Sequence, residues 1–338
     1  MQKAFLLVNL GTPESPQPKQ VKRYLTEFLN DPFVIDLPWL LRKLLVNLII
    51  IPFRVKKSTK LYQRLWTDAG SPISIHLEEL KLKLQKEIGD ELVVYAAMRY
   101  GKPALKDVLA EINERGADEL HVLPLFPQYA SSTTGSIIHA VQKNKNKLQN
   151  IKKIHFIEQF YNDPGFINAF CLRISSYQPT SFDHIIFSFH SLPISHVEST
   201  HAGHVSNGCS CETHLPSFGT RCYKATCYET ARLIANKLQI NRDDYTIAFQ
   251  SRFSSNWIGP FTEDIINQSA LSGKSSVLII APSFVADCLE TIVEIGQDYK
   301  RVFTAFGGKE LVMVESLNAE DYWAKSLMKI ISSYSHNS

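Results

Sequence analysis

Long apolar runs are scarce in this sequence. The most apolar stretch, Leu44 to Phe53, is far short of the roughly 20 residues that a helix needs to cross a bilayer, and Arg42 and Lys43 interrupt what precedes it. That excludes a membrane-spanning helix there. Charge of one sign is also in short supply. A formal net charge of +3 over 338 residues, with no basic stripe interleaved with aromatics, gives no reason to expect a nucleic-acid partner. The N-terminal run MQKAFLLVNLGTPESP turns at Gly11 to Pro16 without an Ala-x-Ala-like cleavage site, so it reads as a first strand and not as a secretory leader. Paired Cys-x-x-Cys motifs are missing as well, which argues against a standard zinc ribbon.

What is present is a globular chain, 44% apolar and long enough for one or two cores. Strand-like segments fall at residues 3–10, 92–99, 120–126, 153–159, 184–190, 246–251, 276–282 and 311–316. Helix-length amphipathic segments such as Ile75 to Ile88, Pro103 to Arg115 and Tyr228 to Leu238 lie between them. This alternation predicts an α/β fold of parallel sheets, and the eight strands divide into two similar Rossmann-like lobes of four strands flanked by helices. The boundaries read as 1–175 for the first lobe, 176–318 for the second and 319–338 for a C-terminal helix and tail. Residues 37–54, LPWLLRKLLVNLIIIPFR, are mostly apolar with cations at both ends. They fit a helix lying on anionic lipid as well as a buried one.

Strand ends carry functional groups in such sheets, and two features stand out there. The run HIIFSFHSLP, a buried-strand pattern, ends on His190. The run APSFVADCLETIVEIG leads into a helix on which Asp287, Glu290, Glu294 and Asp298 follow at spacings of three, four and four. Like charges on one helix face repel, so the stripe needs a reason. A solvated acidic face is the plain alternative, and a lone strand-end histidine is more often structural. The combination points to a divalent metal or a proton path.

Taken in order, LLVNLGTPESP, GSPI, MRYGKP, FSFHSLP and PSFVADCLETIVEIG resemble the ferrochelatase family over nearly the whole chain. The resemblance implies a fold of two lobes with the active cleft between them. It also implies the last step of haem biosynthesis, insertion of Fe²⁺ as substrate into a porphyrin, protoporphyrin IX above coproporphyrin III, with loss of two pyrrole protons. By the same resemblance His190 is the active-site histidine, as proton acceptor or iron ligand, with Glu290 as its partner, Glu294 next to it, and Asp287 and Asp298 continuing an acidic path. Leu10 and Trp257 would meet the ring, Arg54, Lys57 and Ser71 its propionates, and Arg99 and Tyr100 would line the pocket. Segment 37–54 matches the family's hydrophobic lip. This predicts a cytoplasmic enzyme with peripheral contact to the inner membrane, and leaves monomer and homodimer open.

Of six cysteines, Cys209, Cys211, Cys222 and Cys227 fall within CSCETHLPSFGTRCYKATC. They lie in an insertion, residues 194–227, that resembles the internal segment of bacterial ferrochelatases holding a [2Fe-2S] cluster on four thiolates. Zinc, with help from His201, His204 or His214, and plain free thiols are the alternatives. Two other readings compete with the enzyme: a chelatase for a more polar tetrapyrrole, which the apolar lip and Trp257 oppose, and a haem carrier, which would need no carboxylate beside its histidine.

Overall fold

The structure is a computed structural model that describes residues 2–89, 92–200 and 210–336. It divides into two compact units: Met1–Phe126 with Ala130–Gln159 and Ala319–Ser338, and Pro127–Tyr129 with Phe160–Asn318.

The first unit is built on a parallel sheet in the order β2-β1-β3-β4, with β1 at Lys3–Thr12, β2 at Leu92–Gly101, β3 at Glu119–Pro124 and β4 at Lys153–Phe156. Phe5 to Val8 have no exposed surface. Such an unbroken apolar run is what a central parallel strand covered on both faces requires. At the end of β1, Gly11 sits at φ +125°, and a Cβ there would lie 1.8 Å from the Tyr100 carbonyl oxygen, so only glycine lets β1 and β2 close up.

Six helices belong to this part of the chain: α1 (Pro18–Leu29), α2 (Trp39–Leu44), α3 (Ile51–Leu65), α4 (Pro72–Ile88), α5 (Leu105–Glu114) and α6 (Ser136–Asn144). Helix α4 shows how the sequence writes its own limits. Pro72 starts it, Leu77, Leu80 and Leu84 line its buried side, and Gly89 at φ +69° ends it. Leu109 and Ile112 of α5 and Ile137 and Val141 of α6 cover one face of the sheet, packing on Leu6, Val8 and Val122.

The apolar stretch 37–54 is not one helix. It runs as α2, then a widened segment Leu45–Ile50, in which the Ile51 N–H reaches back five residues to the Val46 carbonyl, then α3. Pro52 has no N–H to give and its ring would crowd the carbonyl four residues earlier, which explains the widening. Arg42, which interrupts the apolar run, is buried. Its Nε donates to the Asn30 carbonyl at 2.9 Å and its Nη1 to the Leu37 carbonyl at 2.6 Å. Around this anchor Trp39, Leu40, Leu41, Leu48, Ile49 and Phe53 are exposed, Phe53 by 82%.

The second unit repeats the plan in the order β6-β5-β7-β8, with β5 at His184–His190, β6 at Tyr245–Gln250, β7 at Ser276–Ile280 and β8 at Glu310–Met313. Its helices are α7 (Pro164–Ser175), α8 (Ile194–Glu198), α9 (Tyr223–Lys237), α10 (Thr262–Leu271) and α11 (Lys300–Ala305), with a wide-turned helix over Leu289–Tyr299. Asp163 caps α7 by accepting from the N–H groups of Gly165 and Phe166.

The compact units part company with the sequence boundaries. Helix α7 packs on α9, so the division falls at 159/160 where the sequence reading put it at 175/176. The C-terminal helix α12 (Asp321–His336) packs on α4, with Trp323 fully buried, and belongs to the first unit although it follows the second in the chain.

Candidate functional site

His190 ends β5, paired with Gln250 of β6. Its Nδ1 lies 2.5 Å from the Ser191 carbonyl oxygen. A carbonyl can only accept, so Nδ1 carries a proton, and in the neutral ring Nε2 is the nitrogen with a lone pair free to take a proton or a metal. The loop that follows is pinned. The Ser191 hydroxyl donates to the Ile258 carbonyl at 2.7 Å, the Ile258 N–H donates to the Leu192 carbonyl, and the Ile194 N–H donates to the Asn256 carbonyl. These bonds hold Trp257 against Pro193, with its ring centroid 6.3 Å from the His190 ring, and Phe284 stands 6.4 Å away. Ser and Leu in the HSLP motif are therefore positioning residues, and the structure brings His190 and Trp257 together.

The acidic stripe divides into distinct roles. Glu294 accepts from the Ser251 N–H at 2.9 Å, from the Ser251 hydroxyl and from the Tyr299 hydroxyl at 2.9 Å. Burial pushes its carboxyl above the usual range and the charge of Glu290 adds to this, while the Ser251 and Tyr299 bonds and the proximity of His190 work the other way. Glu294 thus feels the charge of both Glu290 and His190.

Ser251 presents both of its donors because its backbone is left-handed, at φ +62°, just past β6. Sequence reading missed it, since a serine at a strand end carries no mark of that conformation. Tyr299 was missed for a different reason. It reads as core, and its phenol is held protonated by burial and by Glu294.

Asp287 does not extend the stripe in the way its spacing suggested. It precedes the helix, is buried, and accepts from the Thr291 hydroxyl at 2.9 Å, the Asn318 side-chain amide at 2.7 Å and the Ser316 N–H. Its oxygens tie the helix start to the 316–318 loop. Asp298, at the other end, pairs with Arg301.

In the first unit, Arg99 and Tyr100 are committed internally. Arg99 Nε donates to Ser136 Oγ at 2.7 Å and its guanidinium pairs with Asp31. The Tyr100 hydroxyl and Ser136 Oγ each donate to the same Asp31 oxygen at 2.8 Å. Tyr100 is 1% exposed, packed within the first unit. Ser71 is buried with its hydroxyl 2.9 Å from that of Thr12. Leu10 is half-buried near the end of β1, and Arg54 and Lys57 are exposed on α3.

Cys211, Cys222 and Cys227 are all fully buried, while Cys209, like His201 and His204, lies outside the described residues. Cys222 begins α9, its sulfur accepting from the Ala225 N–H at 3.5 Å. Burial pushes the Cys227 thiol well up, opposed by a Tyr223 hydrogen bond and reinforced by Cys222 and Cys211. Cys171 and Cys288 stand apart as separate buried thiols.

Comparison with known proteins agrees with this layout. A ferrochelatase of Coxiella burnetii (strain Dugway 5J108-111) is 38% identical over 334 residues, covering 96% of this chain and 92% of that protein. One from Legionella pneumophila (strain Lens) is 38% identical, covering 98% and 99%. Among solved structures, SirB from Bacillus subtilis with Fe³⁺ superposes with a TM-score of 0.55 at 11% identity, covering 98% of this chain and 95% of that one, which shows a shared chelatase-like fold. The family model described as Ferrochelatase matches residues 2–335. A match of that extent, with relatives this similar across nearly their whole length, means that the chain belongs to the ferrochelatase family, and insertion of Fe²⁺ into a porphyrin to make haem is its reaction.

Proposed function

We propose that His190, Glu290 and Glu294 are the groups that take the pyrrole protons and admit the iron in this reaction. The observation that carries the reading is the fixed tautomer of His190. Its Nδ1–H is given to the Ser191 carbonyl, so in the neutral ring Nε2 is the free base at the end of a strand, and Glu294 feels the charge of both His190 and Glu290. Each insertion replaces two pyrrole N–H protons by one Fe²⁺. In this scheme the first proton goes to His190 Nε2, and the carboxylates take protons onward, Glu294 being suited because its raised proton affinity matches it to an imidazolium donor. Trp257 and Phe284 supply an apolar flank for a flat ring. Leu10, Ser71, Arg54 and Lys57 are assigned to the porphyrin by family resemblance, and the apolar surroundings favour protoporphyrin IX. Anaerobic turnover with Fe²⁺, followed as loss of porphyrin fluorescence, tests the whole reading; no loss with either porphyrin would refute it.

Glu294→Gln should slow insertion less than Glu290→Gln does, because a water can stand in for a relay group one turn along the helix. It should not lower stability. A carboxyl whose pKa is raised in the fold has its stabilising share intact below its unfolded value and loses it as pH rises through the folded value, and the amide removes that loss at neutral pH. Equal rate losses in the two variants, or a large fall in Tm for Glu294→Gln, would contradict the relay.

We also propose that the exposed apolar side chains of α2 and the segment after it rest on lipid. No described helix is long and apolar enough to cross a membrane. The Arg42 anchor holds the segment so that Trp39, Leu48 and Phe53 face outward, and Lys43 lies over the Trp39 ring at 5.0 Å. Trp39→Ser with Phe53→Ser should reduce co-sedimentation with phosphatidylglycerol-containing vesicles several-fold without changing Tm; unchanged sedimentation would remove lipid as the partner.

The buried cysteines support a [2Fe-2S] cluster as a resident cofactor, held by Cys209, Cys211, Cys222 and Cys227. Cys222 at the N-cap and Cys227 in the first turns of the 15-residue α9, with Cys211 also fully buried, suit an anionic group, since the helix dipole favours negative charge at its N-terminus. Zinc would satisfy the same donors. The cluster, when bound, supplies one-electron chemistry, and no step of the insertion scheme passes through it.

A further inference from the structure

A second group of metal-ligand side chains lies in the first unit, on residues the insertion chemistry does not use. Strand register places it. Glu119 and His121 alternate onto the same side of β3, His121 is paired with His155 of β4, and Lys3 and Phe5 of β1 lie opposite Glu119 and His121. The two imidazoles stack at 4.8 Å with 18° between planes, and one ligand atom from each of Glu119, His121 and His155 lies within 4.8 Å of the others. His155 Nε2 is 2.9 Å from Glu119 Oε1, while Lys3 holds the other carboxylate oxygen at 3.5 Å.

The decisive feature is His121. It has no exposed surface, yet neither of its ring nitrogens has a hydrogen-bond partner in the protein. A core built only for packing would place an apolar side chain here, because an unpartnered buried nitrogen is costly. A histidine that served the Glu119–Lys3 ion pair would bond to it, as His155 does.

We infer that Glu119, His121 and His155 bind one divalent first-row transition-metal ion. Two imidazole nitrogens and one carboxylate oxygen are the donors that Zn²⁺, Fe²⁺ and Co²⁺ prefer, whereas Ca²⁺ and Mg²⁺ favour oxygen alone. The metal would replace the His155–Glu119 hydrogen bond. The side chain of His155 is 27% exposed and gives an ion its way in. Lys3 opposes the incoming charge from the far side of the carboxylate, and its removal should strengthen binding.

Equilibrium dialysis of the full chain against Zn²⁺, with zinc counted per chain, tests this. His121→Phe, which keeps the stack on Phe5, and Glu119→Gln should each bind one zinc fewer than wild type, and Lys3→Met should bind that zinc several-fold more tightly. Iron insertion should be unchanged in all three. An equal zinc count in wild type, His121→Phe and Glu119→Gln would overturn the proposal. So would loss of the same zinc in His190→Ala, since the count would then report the insertion site. Should His121→Phe fail to fold, Glu119→Gln and Lys3→Met decide alone, and the absence of both effects would sink it.

Discussion

His190→Ala is expected to lower iron insertion by on the order of 10³-fold, and Glu290→Gln by a comparable factor, while porphyrin binding, read from quenching of protein fluorescence, stays near wild type. The first loss follows from the tautomer. Alanine removes the only imidazole at the end of β5, and the Ser191 carbonyl then holds nothing that could take a proton. The second follows from position. Glu290 opens the wide helix beside Cys288, whose thiol is pushed well up by burial and by that carboxylate, and its charge reaches Glu294. An amide there keeps the shape but cannot accept a proton or bind iron as an anion. Because Trp257 is held by backbone bonds of the Ser191–Ile194 loop and not by the imidazole, the ring-binding surface survives both changes. Near-wild-type turnover by either variant would show that the protons leave by another route. Loss of porphyrin binding would make these groups part of the binding surface instead.

Much of this was legible because α/β sheets write themselves in short-range pattern. Runs such as FLLV in β1 and IIFSF in β5 announce parallel strands buried on both faces, and HSLP announces the site by following one of them. Spacing along a helix also placed Glu290 and Glu294 together. The residues that escaped were set by contacts from distant segments. Asp287 fits the helical spacing, but Asn318 and Ser316 hold it outside the helix, a fact settled 29 and 31 residues away. The burial of Arg42 was not legible because its acceptors are backbone carbonyls, which no side-chain pattern reveals. That Arg99 and Tyr100 both bond to Asp31 was likewise not legible, because Asp31 is far off in sequence. The unit boundary moved for a related reason: α7 is an ordinary amphipathic helix, and only its contact with α9 says which sheet it joins.

Protein purified without oxygen from cells supplied with iron and sulfide is expected to be coloured and to carry about two irons per chain beyond any substrate iron, as four thiolates holding a [2Fe-2S] centre require. Changing any one of Cys209, Cys211, Cys222 or Cys227 to Ser should abolish the colour, whereas Cys171→Ser and Cys288→Ser should leave it. Structural cost should differ among them. Cys222 caps α9 through its sulfur, so its serine variant retains a capping oxygen and the helix start, while Cys227, buried one turn on beside Tyr223, exchanges a sulfur for a hydroxyl in a packed interior. The Tyr223 hydroxyl donates to the His190 carbonyl at 2.9 Å, so disturbance at the cysteines has a short path to the catalytic strand end. Activity should therefore fall in Cys227→Ser more than in Cys209→Ser even though both lose the colour. Equal activity losses would point to the cluster itself. A colourless wild-type protein containing one zinc at these cysteines, fully active, would replace the iron-sulfur assignment with zinc.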